Sequence, residues 1–331
     1  MSRITSVARS KRARFTALAL LALVLSPIQA SGEDYPARPI KLLVPFPAGG
    51  ATDTMARLIS QGLSTRLSQQ IVIENQGGAG GTLGARQAAQ SEPDGYTLLM
   101  VAATNTFGTA PRLYKLDFDP VKTFAPVGMV AVDKQVMVVA PSVPAADVHE
   151  LVRYAKANPG KLNYGSAIGI GPHFVMELFK LKSGATIVHI PYRGGAPMIS
   201  DLLGGQIQMT VNGKSVLLPH ITSGKVRALA VAGAQRWADL PNVPTLVEAG
   251  YLDAPYDAMF GIVTRAGTRP EIIAKLNAAL VDTLRAPETS AGFARLGIET
   301  KPGPPEEFAA VIAQEAPRWA DIVKATGIKV D

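Results

Sequence analysis

The sequence predicts an α/β protein of two domains whose sheets are mostly parallel and whose chain crosses between them twice. Three observations carry this expectation. The 331 residues exceed one ordinary core of about 100–200 residues. Short apolar runs alternate with stretches of helical hydrophobic spacing, the rhythm of strand–helix–strand units. That rhythm restarts near residue 136 and returns near residue 258. The 47% hydrophobic content belongs to a folded chain, not a disordered one.

The elements follow in order. IKLLVPF (40–46) is a buried strand ending in the turn Pro47-Ala48-Gly49-Gly50, and Met55, Leu58, Ile59, Leu63 and Leu67 then recur at helical spacing. IVIE (71–74) is the second strand, followed by a glycine-rich turn and a helix to about Gln90, and YTLLMVA (96–102) is the third. After VMVVAP (136–141) come a helix at 145–157, the strand KLNYGS, a helix at 173–182, the strand TIVHIPY, a helix at 196–203 and the strands QIQMTV and RALAVAG. AMFGIVT (258–264) begins the return, and helices at 269–285 and 305–325 dock on the first domain because they have no full sheet of their own. The crossings fall near 136–140 and 258–264, and 240–257 reads as loop. The expected division is 1–30 as a leader, 31–138 and 258–331 as one lobe, and 139–257 as the other.

Residues 1–30 read as a cleavable export signal. Arg3, Arg9, Lys11, Arg12 and Arg14 precede the apolar ALALLALVLS (17–26), which is too short to span a bilayer, and Ala30 offers a small residue for cleavage. Most of the net charge of +7 lies here. Without this segment, 28 Lys+Arg stand against 26 Asp+Glu. The basic balance thus supports export to the periplasm and no nucleic-acid partner.

Zero cysteine excludes disulfides, thiol nucleophiles and thiolate metal sites. The four histidines lack metal-ligand spacing, so no metal is expected. GGAGGTLG (77–84) fails G-x-G-x-x-G because Leu83 stands where the third glycine belongs, and Gln208 breaks a phosphate-loop reading of Gly213-Lys214-Ser215. No G-x-S-x-G elbow surrounds a serine, so no catalytic residue and no cofactor is expected. What remains is a set of turns rich in glycine and small polar residues: PFPAGGATD (45–53), ATNTFG (103–108), YGSAIGIGPH (164–173) and YRGGAP (192–197). At the carboxyl ends of strands, such turns present backbone N–H groups and helix N-termini to an anion. Any one of them is also an ordinary connector.

YPARPIKLLVPFPAGGATD, IVIENQGGAGGTLGA, PDGYTLL, DPVKTFAPVGMVA, HIPYRGGAPMISDLLGGQI, LPHITSGKVRALAVAG, LPNVPTLVEAG and PEEFAAVIAQEAPRWADIVKATGIK resemble the Bug-type family. These are the extracytoplasmic solute receptors of tripartite tricarboxylate transporters. The resemblance runs from about Tyr35 to the C-terminus. It implies a two-lobed periplasmic-binding-protein type II fold closing on a small organic acid, a monomer that delivers ligand to membrane transporter subunits. The same fold serving a sensor kinase is the alternative, and an α/β enzyme is disfavoured for want of a nucleophile–base pair.

Carried over position by position, the resemblance implies ligand contacts at Phe46, Gly49, Gly50, Asp53, Ser166, Gly169, Gly171, Gly194, Gly195 and Ala196. Thr104 and Asn105 join them, in a loop whose length departs from the family pattern. His173 is included too, with orientation of its neighbouring loop as the alternative role. Asp53 has a second reading as a helix-start carboxylate, and Phe46 as a core residue. Asn212 stands where the family often has aspartate, and Lys214 adds a positive charge nearby. Together they point to a mono- or dicarboxylate that is not an amino acid.

Overall fold

The computed structural model describes residues 35–330, so the export signal expected at 1–30 lies outside the described residues. Among the described residues no helix is long and apolar enough to cross a membrane.

The first lobe begins with β1 (Ile40–Val44), a strand whose Leu42, Leu43 and Val44 are fully buried, as a continuous apolar run requires. It pairs in parallel with β2 (Ile71–Asn75) and β3 (Thr97–Ala102). Between them run α1 (Ala51–Leu67) and α2 (Thr82–Ala89). α1 buries Met55, Ile59, Leu63 and Leu67, one residue per turn of a single face, and ends where Ser68 turns left-handed. A buried π-helical segment, Thr104–Thr109, follows β3 and leads into α3 (Ala110–Leu113) and α4 (Pro120–Thr123). The stretch 103–108, read from the sequence as a strand-to-helix turn, is mostly this π-helical segment, whose six residues are all buried.

The 16-residue β4 (Phe124–Val139) then joins the two halves. Its first part pairs antiparallel with β9 (Asp257–Arg265) up to Lys134↔Asp257, and from Gln135 onward it pairs with β7 (Met209–Gly213). The second lobe alternates α5 (Val148–Ala157), β5 (Asn163–Ser166), α6 (Gly171–Ser183), β6 (Val188–Pro191), α7 (Gly195–Leu203), β7, α8 (Lys214–Thr222) and β8 (Arg227–Val231). β6, β5 and β7 are parallel neighbours, while β8 lies antiparallel along β4. The parallel strands are thus the three in each lobe that helices connect. β4 and β9 add antiparallel pairs because they are the crossings, which makes both sheets mixed.

After β9 come α9 (Pro270–Arg285), α10 (Pro287–Arg295), β10 (Glu299–Thr300) and α11 (Pro305–Thr326). Of these, α11 places Phe308 and Ile312 in one core with Leu43, Leu99, Val101, Phe107 and Val263 of the first lobe. A second core gathers Val136, Val138, Met198, Leu202, Leu217, Val231 and Trp237. Each lobe therefore has its own buried cluster, held by apolar burial worth about 1.5–3 kcal/mol per large side chain.

Candidate functional site

The loops after β1, β3, β5 and β6 all leave carboxyl strand ends, and three of them enter helices without a side-chain cap: α1, α6 and α7. Asp147 caps α5 and Asp119 caps α4, whereas α2, α9, α10 and α11 also start without a side-chain cap. An uncapped start leaves N–H donors free and carries the positive end of the helix dipole, which suits an anion.

The first loop owes its shape to Asp53. Its carboxylate accepts the Gly49 N–H, the Arg57 Nε–H and the Asn75 side-chain amide, each at 2.9 Å, and Asn75 also donates to the Phe46 carbonyl at 3.1 Å. Burial pushes the Asp53 carboxyl up, but the Arg57, Gly49 and Asn75 hydrogen bonds outweigh it and hold it below the usual carboxylate range. Asp53 is 2% exposed, so it braces the loop from beneath. Gly49 has φ +82°, the left-handed region, whereas Gly50 is extended. The Phe46 ring lies over Gly81, and a Cβ on Gly84 would come within 2.9 Å of Pro45. The glycine run 77–84 therefore seats the loop instead of cradling a nucleotide.

In the π-helical segment, the Thr104 hydroxyl donates to the Glu315 carboxylate of α11, which also accepts the Trp319 indole N–H at 2.8 Å. Asn105, beside Thr104 on the same segment, is 6% exposed.

From the second lobe, the Ser166 hydroxyl sits 2.8 Å from Nε2 of His189, and the Gly169 N–H donates to Nδ1 of His173 at 3.1 Å. Gly171 starts α6, and the Tyr256 hydroxyl occupies the space its Cβ would need. Gly194 and Gly195 start α7; Ala196 and Arg193 are exposed. The two lobes meet at these loops. Pro47 lies 3.6 Å from where a Cβ on Gly194 would stand, and Leu113 would crowd a Cβ on Gly169 at 2.5 Å.

The structure thus brings the turn that holds Phe46, Gly49, Gly50 and Asp53 against the turn Gly194–Ala196 of the other lobe, and sets the Ser166–His173 segment, with Gly169 and Gly171, against the π-helical segment that carries Thr104 and Asn105. Asn212 and Lys214 stand apart. Lys214 pairs with Asp239, lies 5.3 Å over the Trp237 ring and abuts Gly297, so its charge is already compensated. The Asn212 side-chain Oδ1 accepts the neighbouring Gly213 N–H at 2.8 Å. The start of α8 is likewise taken, since Asp133 accepts the Ser215 N–H at 3.2 Å and the Ser215 hydroxyl. That fourth helix start is closed to an anion by a carboxylate.

Asp133 and Asp257 form a pair that sequence reasoning missed. Asp133 is buried and Asp257 half-buried where β4 and β9 pair, against Gly213 and Gly233, and Asp257 accepts the Gln135 N–H at 3.2 Å. Burial pushes each carboxyl up to about 6. Thr109 and Tyr256 were also missed, and no local pattern marks either; Tyr256 lies within the 240–257 loop.

Comparison with known proteins agrees with this architecture. The model of the tripartite tricarboxylate transporter family receptor matches residues 55–328. The structure of the periplasmic binding protein BugD superposes with a TM-score of 0.83 at 35% identity, covering 89% of this chain and 99% of its own. R. palustris Rpa4515 with adipate gives 0.83 at 33% identity, with 89% and 99% covered. MatC from Rhodopseudomonas palustris with bound malate gives 0.81 at 32% identity, with 87% and 100% covered.

Proposed function

The chain belongs to the tripartite tricarboxylate transporter receptor family, and from that premise we propose that it captures a small organic carboxylate between its lobes and hands it to the membrane subunits of such a transporter. The observation that carries this reading is that the loops after β1 and β6 meet, Pro47 against Gly194, where α1 and α7 begin without a side-chain cap. Backbone N–H groups there hold the carboxylate, with the Asn105 amide as a side-chain donor. In this reading the lobes are 31–138 with 258–331, and 139–257. The protein works as a periplasmic monomer, exported by its first thirty residues, and catalyses no reaction.

The solute is a mono- or dicarboxylate without an ammonium group. Two relatives hold adipate and malate, both dicarboxylic acids without one. Mass spectrometry of ligand released from denatured native protein, followed by calorimetry, tests this. Adipate, malate or a related acid binds, and aspartate and glutamate bind little or not at all. Tight binding of either amino acid, or turnover of the bound acid, sinks the reading.

A further inference from the structure

Between the lobes, the hydroxyl of Thr109 donates to the carbonyl of Gly169 at 2.6 Å, in a fully buried contact 60 residues apart in sequence. Thr109 ends the π-helical segment of the first lobe and is 0% exposed. Gly169 has φ +76°, which only a glycine adopts without strain, so the direction of its peptide is set by what holds it. Its N–H is held by Nδ1 of His173, four residues on in the first turn of α6. An imidazole nitrogen that accepts an N–H carries no proton. The donor, the glycine and the imidazole therefore form a chain across the cleft.

The surroundings keep His173 neutral. It is 5% exposed and stacks on His189 with ring centroids 4.1 Å apart. His189 stacks in turn on Tyr164 at 4.8 Å and meets the Ser166 hydroxyl through Nε2. Of the charged groups facing the pair, Glu177 accepts the Tyr164 hydroxyl and pairs with Lys180 at 2.7 Å, so its charge is largely spent. On α11, which packs against α6, Glu315 is bonded by Thr104 and Trp319 and lies 3.4 Å from Arg318. Burial, reinforced by the adjacent His189, pushes the His173 imidazole down to about 4, and burial also lowers His189.

We propose that His173 is a positioning residue for closure: it does not hold the ligand, but by accepting the Gly169 N–H it fixes the peptide that enters Gly169, and with it the left-handed turn whose following peptide carries the Gly169 carbonyl to Thr109, so that the lobes latch only while His173 is unprotonated. This rests on the reading of the cleft as the ligand site, and it assigns to the site a regulation by acid. Protonation puts a proton on Nδ1, removes the acceptor, frees the peptide that enters Gly169 and, through the glycine φ, lets the carbonyl of the following peptide move off Thr109. The lost hydrogen bond lowers the closed population, and with it the affinity, roughly two- to tenfold.

The chain has no cysteine, so two spin labels can be placed without interference, at Lys122→Cys on one lobe and Leu181→Cys on the other, both exposed. Interlobe distances are then measured at pH 7 and pH 4, with and without adipate, and circular dichroism checks the fold at each pH. The unmodified latch loses its short-distance population in acid. Thr109→Val, which keeps the shape and removes the donor, starts with that population reduced and responds no further. His173→Asn keeps an acceptor near the Nδ1 position but cannot titrate there, and it holds the lobes at both pH values. His173→Phe loses the short distance already at pH 7, which decides the matter should the fold not survive acid. Equal distributions at both pH values in the folded parent, or a His173→Phe variant that closes like the parent at pH 7, overturn the proposal. Calorimetry of the parent with adipate and malate is read separately: no binding of any carboxylate sinks the receptor reading and leaves the distance comparison standing.

Discussion

The indole of Trp319 meets the ring of Phe174 edge-on, with centroids 5.5 Å apart and planes at 64°. Trp319 lies on α11, the last helix of the first lobe, and Phe174 on α6, the helix that follows the second-lobe loop 166–171. Tyr256, at the start of the return crossing, packs on the other side of the same indole at 5.5 Å and 85°. One buried side chain thus touches both lobes and the crossing between them, so relative lobe movement must change its surroundings.

Trp319 should therefore report closure by fluorescence. Trp237, the other tryptophan, is removed as Trp237→Phe; its indole N–H is buried without a partner, so losing it offsets part of the lost contact, and the cost is within about 1 kcal/mol. Ligand should then shift the emission of the remaining indole. The shift should vanish in Phe174→Ala, which also loses about 3–5 kcal/mol of stability in denaturant titrations. A ligand-induced shift unchanged in Phe174→Ala would count against Trp319 as an interlobe contact.

The two glycines of the first loop separate fold from binding. Gly49→Ala forces a side chain into the left-handed region and should cost about 1–2 kcal/mol. At Gly50 the backbone is extended and the nearest atom to an added Cβ is the Pro47 carbonyl at 3.6 Å. Gly50→Val should leave the melting temperature nearly unchanged and weaken carboxylate binding, because its methyls stand over the first N–H groups of α1. Loss of stability equal to the loss of binding would make Gly50 a structural turn residue only.

The pH dependence of stability should carry the mark of Asp133 and Asp257. Both carboxyls rise to about 6 in the folded protein, above the value near 4 of an unfolded aspartate. The folded state then binds more protons between these values. Their contribution is full below about pH 4 and is lost as pH rises through 6. Asp257→Asn keeps an oxygen for the Gln135 N–H and should flatten the fall in melting temperature between pH 5 and pH 7. A slope identical to that of the parent would exclude Asp257 as its source.

Lys214 should not select for dicarboxylates, in contrast to what the sequence suggests. Its ammonium is bound to Asp239, over Trp237. Lys214→Ala should reduce affinity for a dicarboxylate and its monocarboxylate analogue by the same small factor in calorimetry. A selective loss for the dicarboxylate would return Lys214 to the ligand.

Much of the architecture was legible in the linear pattern. The run IKLLV, the spacing of Met55, Ile59 and Leu63, and the restart after β4 are local signals, set by the two- and 3.6-residue periods of the backbone. The same holds for the loops 45–53, 164–173 and 192–197, because glycine beside small polar residues marks a turn wherever it falls. The π-helical segment was not legible: its conformation is held by Glu315 and Gly169, 211 and 60 residues from their partners Thr104 and Thr109.

The sequence by itself determined the family, the two-lobed α/β class and the turns that follow β1, β5 and β6, since each depends on residues close along the chain. Only the tertiary structure decided what individual side chains do. It put Asp53 beneath its loop, committed Lys214 to a residue 25 positions away, and capped α8 with Asp133 from 82 positions away. A charged side chain settles on whichever partner folding brings within about 3 Å, because leaving the vicinity of water uncompensated costs more than any local preference returns. That choice is made between distant segments, and no window along the sequence contains it.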